Sequence, residues 1–320
     1  MANGGGIVRR PAVPRPIRIR RSVLSLKPDD PILTSYGKAM AAMQAKPLLE
    51  PTSWRYQAAI HDYVRSDDPN AKSTDLPLPS DSGTFWRQCE HHGWFFLPWH
   101  RMYLHHFEMM VLAEVMKQGG PEDWALPYWN YSAPDLNAKL LPAAFQQGST
   151  TGLFIPERNQ NANTGHPFFD PDDTNLRCLI EGTFDGGPNQ GFGGSRTANP
   201  KNHGGGPNEG AVESFPHDTV HSGLGAPPLT GGVNQNGFMR SFTRAPLDPI
   251  FWVHHCNIDR LWEVWVKAGH SNPTSADWLT NVSWQFHTAA GGPPLSMTAK
   301  DVVDTRASPL FYMYDDTNMP

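Results

Sequence analysis

The sequence predicts a mainly α-helical protein whose helices are joined by long irregular loops, with a few short strands. Three observations carry this expectation. Apolar residues recur at helical spacing in several segments that also carry helix-start signals. Between them lie stretches dense in Pro, Gly, Asn and Ser, in a chain of 320 residues with 31 prolines and 29 glycines. Short apolar runs suited to small strands follow Trp278.

In chain order, the run from Asp30 to Gln44 reads as an amphipathic helix, with Ile32, Leu33, Tyr36 and Met40 on one face. A second, shorter helix is expected around Trp54 to Tyr63. The Pro-, Asp- and Ser-rich stretch from Ser66 to Ser82 reads as a loop, and a long helix is expected to open at Pro98 and run to about Lys117. From Asn159 to Gly210, Gly, Asn and Pro make a long excursion, the kind of loop that usually carries function. A further helix starts with Asp248 as cap and Pro249 as first residue, and carries Phe251, His255, Asp259, Trp262 and Val266 on an inward face. No second domain is legible. Residues 1–320 are expected to form one unit, with an extended arm over 1–28 and a tail over 315–320.

With 26 basic and 31 acidic residues the formal charge is -5, which argues against a nucleic-acid footprint and favours a small neutral partner. The basic start, Arg9 to Arg21, lacks the apolar core of a signal peptide and is too polar to enter a bilayer, so a soluble chain is expected, either cytoplasmic or exported with its signal removed. Three cysteines, Cys89, Cys178 and Cys256, cannot all pair with one another, which argues against a disulfide framework.

The 14 histidines are the chemically informative residues. His217 and His221 are four apart, a spacing that stacks two imidazoles on one helix face. His254 and His255 lie in a strongly apolar helix, where an unpartnered ring is costly. In CEHHGWFFLPWHRMYLHHFE, His91 precedes Pro98 and His100 follows it, so a loop and a helix aim two rings at one place. His61 is the only histidine before His91, so a third ligand from the N-terminal side must be this one. Imidazole suits copper, zinc, iron and nickel alike. Sites of three histidines leave positions open for a small molecule, and two facing sites can share dioxygen.

At these residues the chain resembles the tyrosinase common central domain, shared by tyrosinases, catechol oxidases and molluscan hemocyanins. HHGWFFLPWHRMYLHHFE is similar to the H-x-x-W-x-x-x-P-x-H-R-x-Y-L-x-x-[FY]-E signature, ESFPHDTVHSGLG to E-x-x-P-H-x-x-V-H-x-x-x-G, and DPIFWVHHCNIDRLW matches almost letter for letter. LPYWNYS and the Tyr312–Tyr314 triplet also fit, with Arg20 or Arg21 packing against the latter. The resemblance implies a four-helix bundle holding two copper ions, with His61, His91 and His100 on the first and His217, His221 and His255 on the second; His254 then packs nearby. It implies a type-3 copper phenol oxidase that uses O2 to convert o-diphenols to o-quinones and hydroxylates monophenols. The alternatives are a catechol oxidase or o-aminophenol oxidase without monophenolase activity, or a hemocyanin-like oxygen carrier. No C-terminal shielding domain is expected in this chain, which suggests an active or trimmed form.

The same resemblance implies further roles. Cys89, two residues before His91, fits a thioether crosslink to that ring, whereas Cys178 and Cys256 read as inert core thiols. Phe251 packs against the copper pair, and Asp259 orients an imidazole through its N–H. Glu213 holds a water near the coppers. Asp218 takes the proton of a phenol whose pKa is about 10. Phe242 gates the site over the second copper, and small Ser222 offsets that restriction. The other histidines, His92, His105, His106, His166, His203, His270 and His287, fall around the site or on the surface. The substrate is a small phenol, with no nucleic acid or membrane as partner; a separate chaperone that loads copper is a possible partner, and the oligomeric state is open.

Overall fold

The computed structural model describes residues 16–78, 80, 82–186, 190–196, 209–226 and 237–318. The first part of the expected arm, residues 1–15, and His203 lie outside these residues. The helices are α1 (Pro31–Gln44), α2 (Trp54–His61), α3 (Ser82–Phe85), α4 (Phe96–Lys117), α5 (Gln160–Asn163), α6 (Thr219–Leu224), α7 (Pro249–Lys267) and α8 (Ala276–Leu279).

The starts of the helices follow their caps. Asp30 accepts the Ile32 N–H at 2.9 Å, Ser53 accepts that of Tyr56 at 3.1 Å and Asp248 accepts that of Ile250 at 3.0 Å. Helix α4 opens two residues earlier than expected. Pro98 therefore sits inside its first turn, where its missing N–H has no intrahelical acceptor to lose. α4 packs between α1 and α7, and α2 lies against the short turn that leads into α7. One continuous apolar cluster runs through these helices, including Trp99, Trp129, Trp252 and Trp262, all fully buried. The helix-rich architecture with few strands is the one the sequence predicts. No helix among the described residues is long and apolar enough to cross a membrane.

Two small sheets close the structure. β1 (Arg18–Arg20) pairs in parallel with β4 (Tyr312–Tyr314), with Arg20 opposite Tyr314, and β2 (Trp284–Phe286) pairs antiparallel with β3 (Leu295–Met297). Of the two arginines expected near the tyrosine triplet, Arg20 makes the contact. Its guanidinium lies 3.6 Å over the Tyr312 ring and donates to Glu108 at 2.8 Å, to Tyr314 at 2.9 Å and to Asp259 at 3.1 Å.

These contacts correct the role expected for Asp259. Its carboxylate is taken by Arg20, Arg101 and the hydroxyls of Tyr312 and Tyr314, and not by an imidazole. α7 carries Asp259 one turn past His255, to where α4 and β1 present two guanidiniums, and charge-assisted bonds to these are stronger than one to a neutral ring N–H.

Candidate metal centre

Four helices, with a loop and an irregular turn, aim histidines at a common interior region. His61 ends α2, His91 precedes α4 and His100 lies in it; their ring centroids are 5.3 to 5.9 Å apart. His217 and His221 are 4.5 Å apart, and His254 and His255 of α7 complete the second group. His217 is not on a regular helix, as the four-residue spacing predicts. It lies in an irregular turn, Glu213–Asp218, that runs into α6, and Phe215 just before Pro216 is extended. A proline disfavours helical geometry in the residue before it, so helical spacing begins only at the histidine itself. Across the two groups, the rings of His100 and His255 stack at 4.5 Å and 10°.

Ring orientation is set by the Nδ1 atoms. The Nδ1–H of His61 donates to the Phe242 carbonyl at 2.8 Å, that of His100 to Phe96 at 2.8 Å and that of His221 to Met239 at 2.7 Å. His217 donates to the Asp218 carboxylate at 2.8 Å. A carbonyl can only accept, so these bonds select the tautomer whose Nε2 lone pair is available to a metal. The Nε2 of His217 is buried with no hydrogen-bond partner among the described residues. The Nε2 atoms of His221 and His255 approach to 3.3 Å, the separation expected for two nitrogens that each lie about 2.0 Å from one ion at a tetrahedral angle. Burial, reinforced by neighbouring imidazoles, pushes His217, His254 and His255 well below the usual histidine range, and burial also lowers His221. Neutral rings are what metal binding requires. The donor set thus fits two imidazole-bound ions.

His254 is placed as close to this group as His255. Its Nδ1 pairs with the Tyr131 hydroxyl at 3.1 Å, whereas the Nδ1 of His255 has no partner among the described residues. Cys89 is buried with its sulfur 3.2 Å from His91 Nδ1 and 3.5 Å from His100 Nε2. Phe251 packs on His255 at 4.2 Å and on His61 at 5.4 Å. Phe242, expected over the second cluster, lies against the first: its ring is 5.0 Å from His91 and stacks on His61 at 6.4 Å. The Phe242 carbonyl bound to His61 draws it there.

A cavity of about 160 Å³ reaches these rings, with His61, His91, His217 and His221 in its wall. Asp218, Ser222, Arg240 and Phe242 form its outer part; Ser222 and Arg240 are exposed, and Phe242 is 46% exposed. Glu213 is fully buried, and both its oxygens accept the backbone N–H of His92, at 2.9 and 3.0 Å. His92 takes a left-handed φ of 54° to aim that N–H, a strain found mainly at functional sites. Burial, with Asp218 and Glu209 nearby, holds the Glu213 carboxyl well above its usual range. Glu209, half-buried, is pushed up to about 7 by burial and a hydrogen bond with Asp218.

Several of these parts escaped the sequence. Glu209 lies in a Gly-rich stretch that reads as loop, and the carbonyls of Phe96, Met239 and Phe242 have no sequence signature at all. His105 and His106 are buried in the core, where His106 stacks on Phe286 at 4.6 Å; His287 meets Tyr56 at 2.9 Å, His270 stacks on Trp265 and His166 is exposed.

The family profile described as the common central domain of tyrosinase matches residues 51–199 and 179–268. The chain belongs to the tyrosinase family. Its cofactor is a pair of copper ions, and the two histidine clusters are the residues that could hold them. Tyrosinase HcTyr1 of Hahella sp. (strain CCB-MM4) is 37% identical over 325 residues, covering 93% of this chain and 63% of that protein. The latent polyphenol oxidase of Prunus armeniaca is 29% identical, covering 82% of this chain and 43% of its own length. Among solved structures, Grenache (Vitis vinifera) polyphenol oxidase superposes with a TM-score of 0.70 at 25% identity, covering 98% of this chain and 88% of that one. The chain thus spans less than two thirds of the length of these two curated tyrosinase-family relatives.

Proposed function

We propose that this chain is a type-3 copper phenol oxidase that converts o-diphenols to o-quinones with O2 and also hydroxylates monophenols at the ortho carbon. The observation that carries this reading is the cavity bounded by exposed residues and ending at both histidine clusters. An oxygen carrier needs no such passage for a ring, so the enzyme is favoured over the carrier. We assign His61, His91 and His100 to one ion and His217, His221 and His255 to the other.

Bound copper supplies dioxygen activation and the two-electron oxidation. The chain's own groups position the substrate and move its proton. Phe242 offers a ring edge against which an entering phenol packs, and Ser222 leaves room beside it. Asp218, half-exposed on the cavity wall, accepts the phenol proton. Glu213 and Glu209 lie close enough to Asp218 to disfavour a second negative charge, so a proton entering this group of carboxylates is shared. Glu213, fixed by the His92 N–H, holds a water near the copper site.

Oxygen uptake with a monophenol and with the matching catechol tests the reading. Consumption with both is expected; consumption with catechol alone reduces the assignment to catechol oxidase. Asp218→Asn should lower kcat/KM for the monophenol by about a hundredfold. Asparagine keeps an acceptor for the His217 Nδ1–H, so an unchanged rate removes Asp218 from proton transfer.

Cys89 is further proposed to form a thioether with the His91 ring, which joins sulfur to a ring carbon as the thiol and the ring each lose a hydrogen, the two electrons and two protons passing to one O2 to give H2O2; copper held by these histidines would supply the redox chemistry. Intact mass after aerobic copper loading should fall by those two hydrogens. Cys89→Ser should show no change; equal behaviour of both proteins refutes the crosslink.

A further inference from the structure

We propose that Arg240 makes this pocket selective for phenols that carry a carboxylate on a short ring substituent, with the guanidinium binding that carboxylate while the ring lies toward the histidines. The inference rests on the phenol oxidase reading and names its substrate class.

Arg240 occupies a segment that is held at both ends. The Met239 carbonyl accepts from His221 at 2.7 Å and the Phe242 carbonyl from His61 at 2.8 Å, so one ring of each cluster grips the strip between them. Within it, the Arg240 N–H donates to the Gly237 carbonyl at 3.2 Å. The side chain's stem lies on Gly225, where an added Cβ would come within 2.6 Å of Arg240 Cγ. The position of the stem is thus fixed relative to the histidines, as recognition of a substrate's far end requires.

Arg240 is exposed on the cavity, and its guanidinium has no acceptor among the described residues. Five other arginines among the described residues differ. Arg18, Arg20, Arg55, Arg101 and Arg158 each bind a carboxylate of the chain. The carboxylate that shares the cavity, Asp218, is already engaged by His217 and Glu209. The planar fork of Arg240 matches a carboxylate in two-point geometry. Ser241, beside it on the wall, spends its hydroxyl on Thr243 at 2.9 Å, and Thr243 donates in turn to Asp67 at 3.0 Å, so the recognition falls to Arg240.

The test compares kcat/KM for dihydrocaffeate, an acid, with that for neutral methylcatechol and cationic dopamine. In the wild type the acid should be preferred. In Arg240→Ala the acid-to-neutral ratio should fall about tenfold, expressed in KM more than in kcat, and in Arg240→Glu the preference should pass to dopamine. A second arm titrates phenylpropionate, which has no hydroxyl to oxidise, into wild type and variants and follows tryptophan fluorescence. Its Kd should rise about tenfold in Arg240→Ala, recover in part in Arg240→Lys and weaken with salt. Unchanged ratios together with an unchanged Kd overturn the proposal. Should no catechol be oxidised, the phenol oxidase reading fails, while the titration still decides the role of Arg240.

Discussion

Replacing His255 with alanine is expected to reduce bound copper from two ions per chain to one and to abolish O2-dependent oxidation, while His254→Ala retains both ions. The two residues are adjacent in sequence and share one cluster, so the contrast is sharp. His255 reaches His221 Nε2 at 3.3 Å and stacks on His100 of the other cluster, which places it between the two ions' ligand sets. His254 stacks 5.4 Å from His217 and is tied to Tyr131. Its loss removes packing and an orienting neighbour, for which a drop in copper affinity of about tenfold is appropriate. Metal analysis after dialysis reads both outcomes directly. If His254→Ala loses the ion and His255→Ala keeps it, the ligand moves one residue toward the N-terminus.

The second large effect is on stability. Asp259→Ala should destabilise the fold by about 3–5 kcal/mol, because it leaves the buried guanidiniums of Arg20 and Arg101 without their shared carboxylate. The control is Arg196→Ala, which breaks an exposed pair with Asp185 and should cost within about 0.5 kcal/mol. The pH dependence has a definite sign. Burial alone would raise the Asp259 carboxyl, but Arg101 and Arg20, with the Tyr312 and Tyr314 hydroxyls, hold it below the usual carboxylate range. Its contribution is therefore complete above the unfolded value of about 4 and is lost as pH falls through the lower folded value. Urea unfolding of wild type and Asp259→Asn should show a gap that is constant near neutrality and narrows in acid. A gap independent of pH would mean that the carboxylate charge contributes nothing.

Much of this was legible in the sequence because the signals are local. Asp30 and Asp248 announce helix starts through their own side chains, and the apolar stripe behind each sets the buried face. His217 and His221, or His91 and His100, are close because few residues separate them. Less legible were the features made by residues distant in sequence. Asp259 has the right spacing from His255 to orient a ring, yet Arg20, 239 residues away, and Arg101 claim it. Phe242 sits at the expected distance before His255, yet its carbonyl, bound to His61, draws the ring over the first cluster.

The sequence by itself determined the helix-rich class and, through residue type at short separation, the pairing of His91 with His100 and of His217 with His221; copper and the full histidine groups came from the resemblance to the tyrosinase domain. Tertiary structure decided which nitrogen each ring presents, where Asp259 is spent and what faces the cavity. These depend on backbone carbonyls and buried charges brought together by packing. Every residue has a carbonyl, so its presence is silent in sequence, and only the fold selects the three that fix His61, His100 and His221.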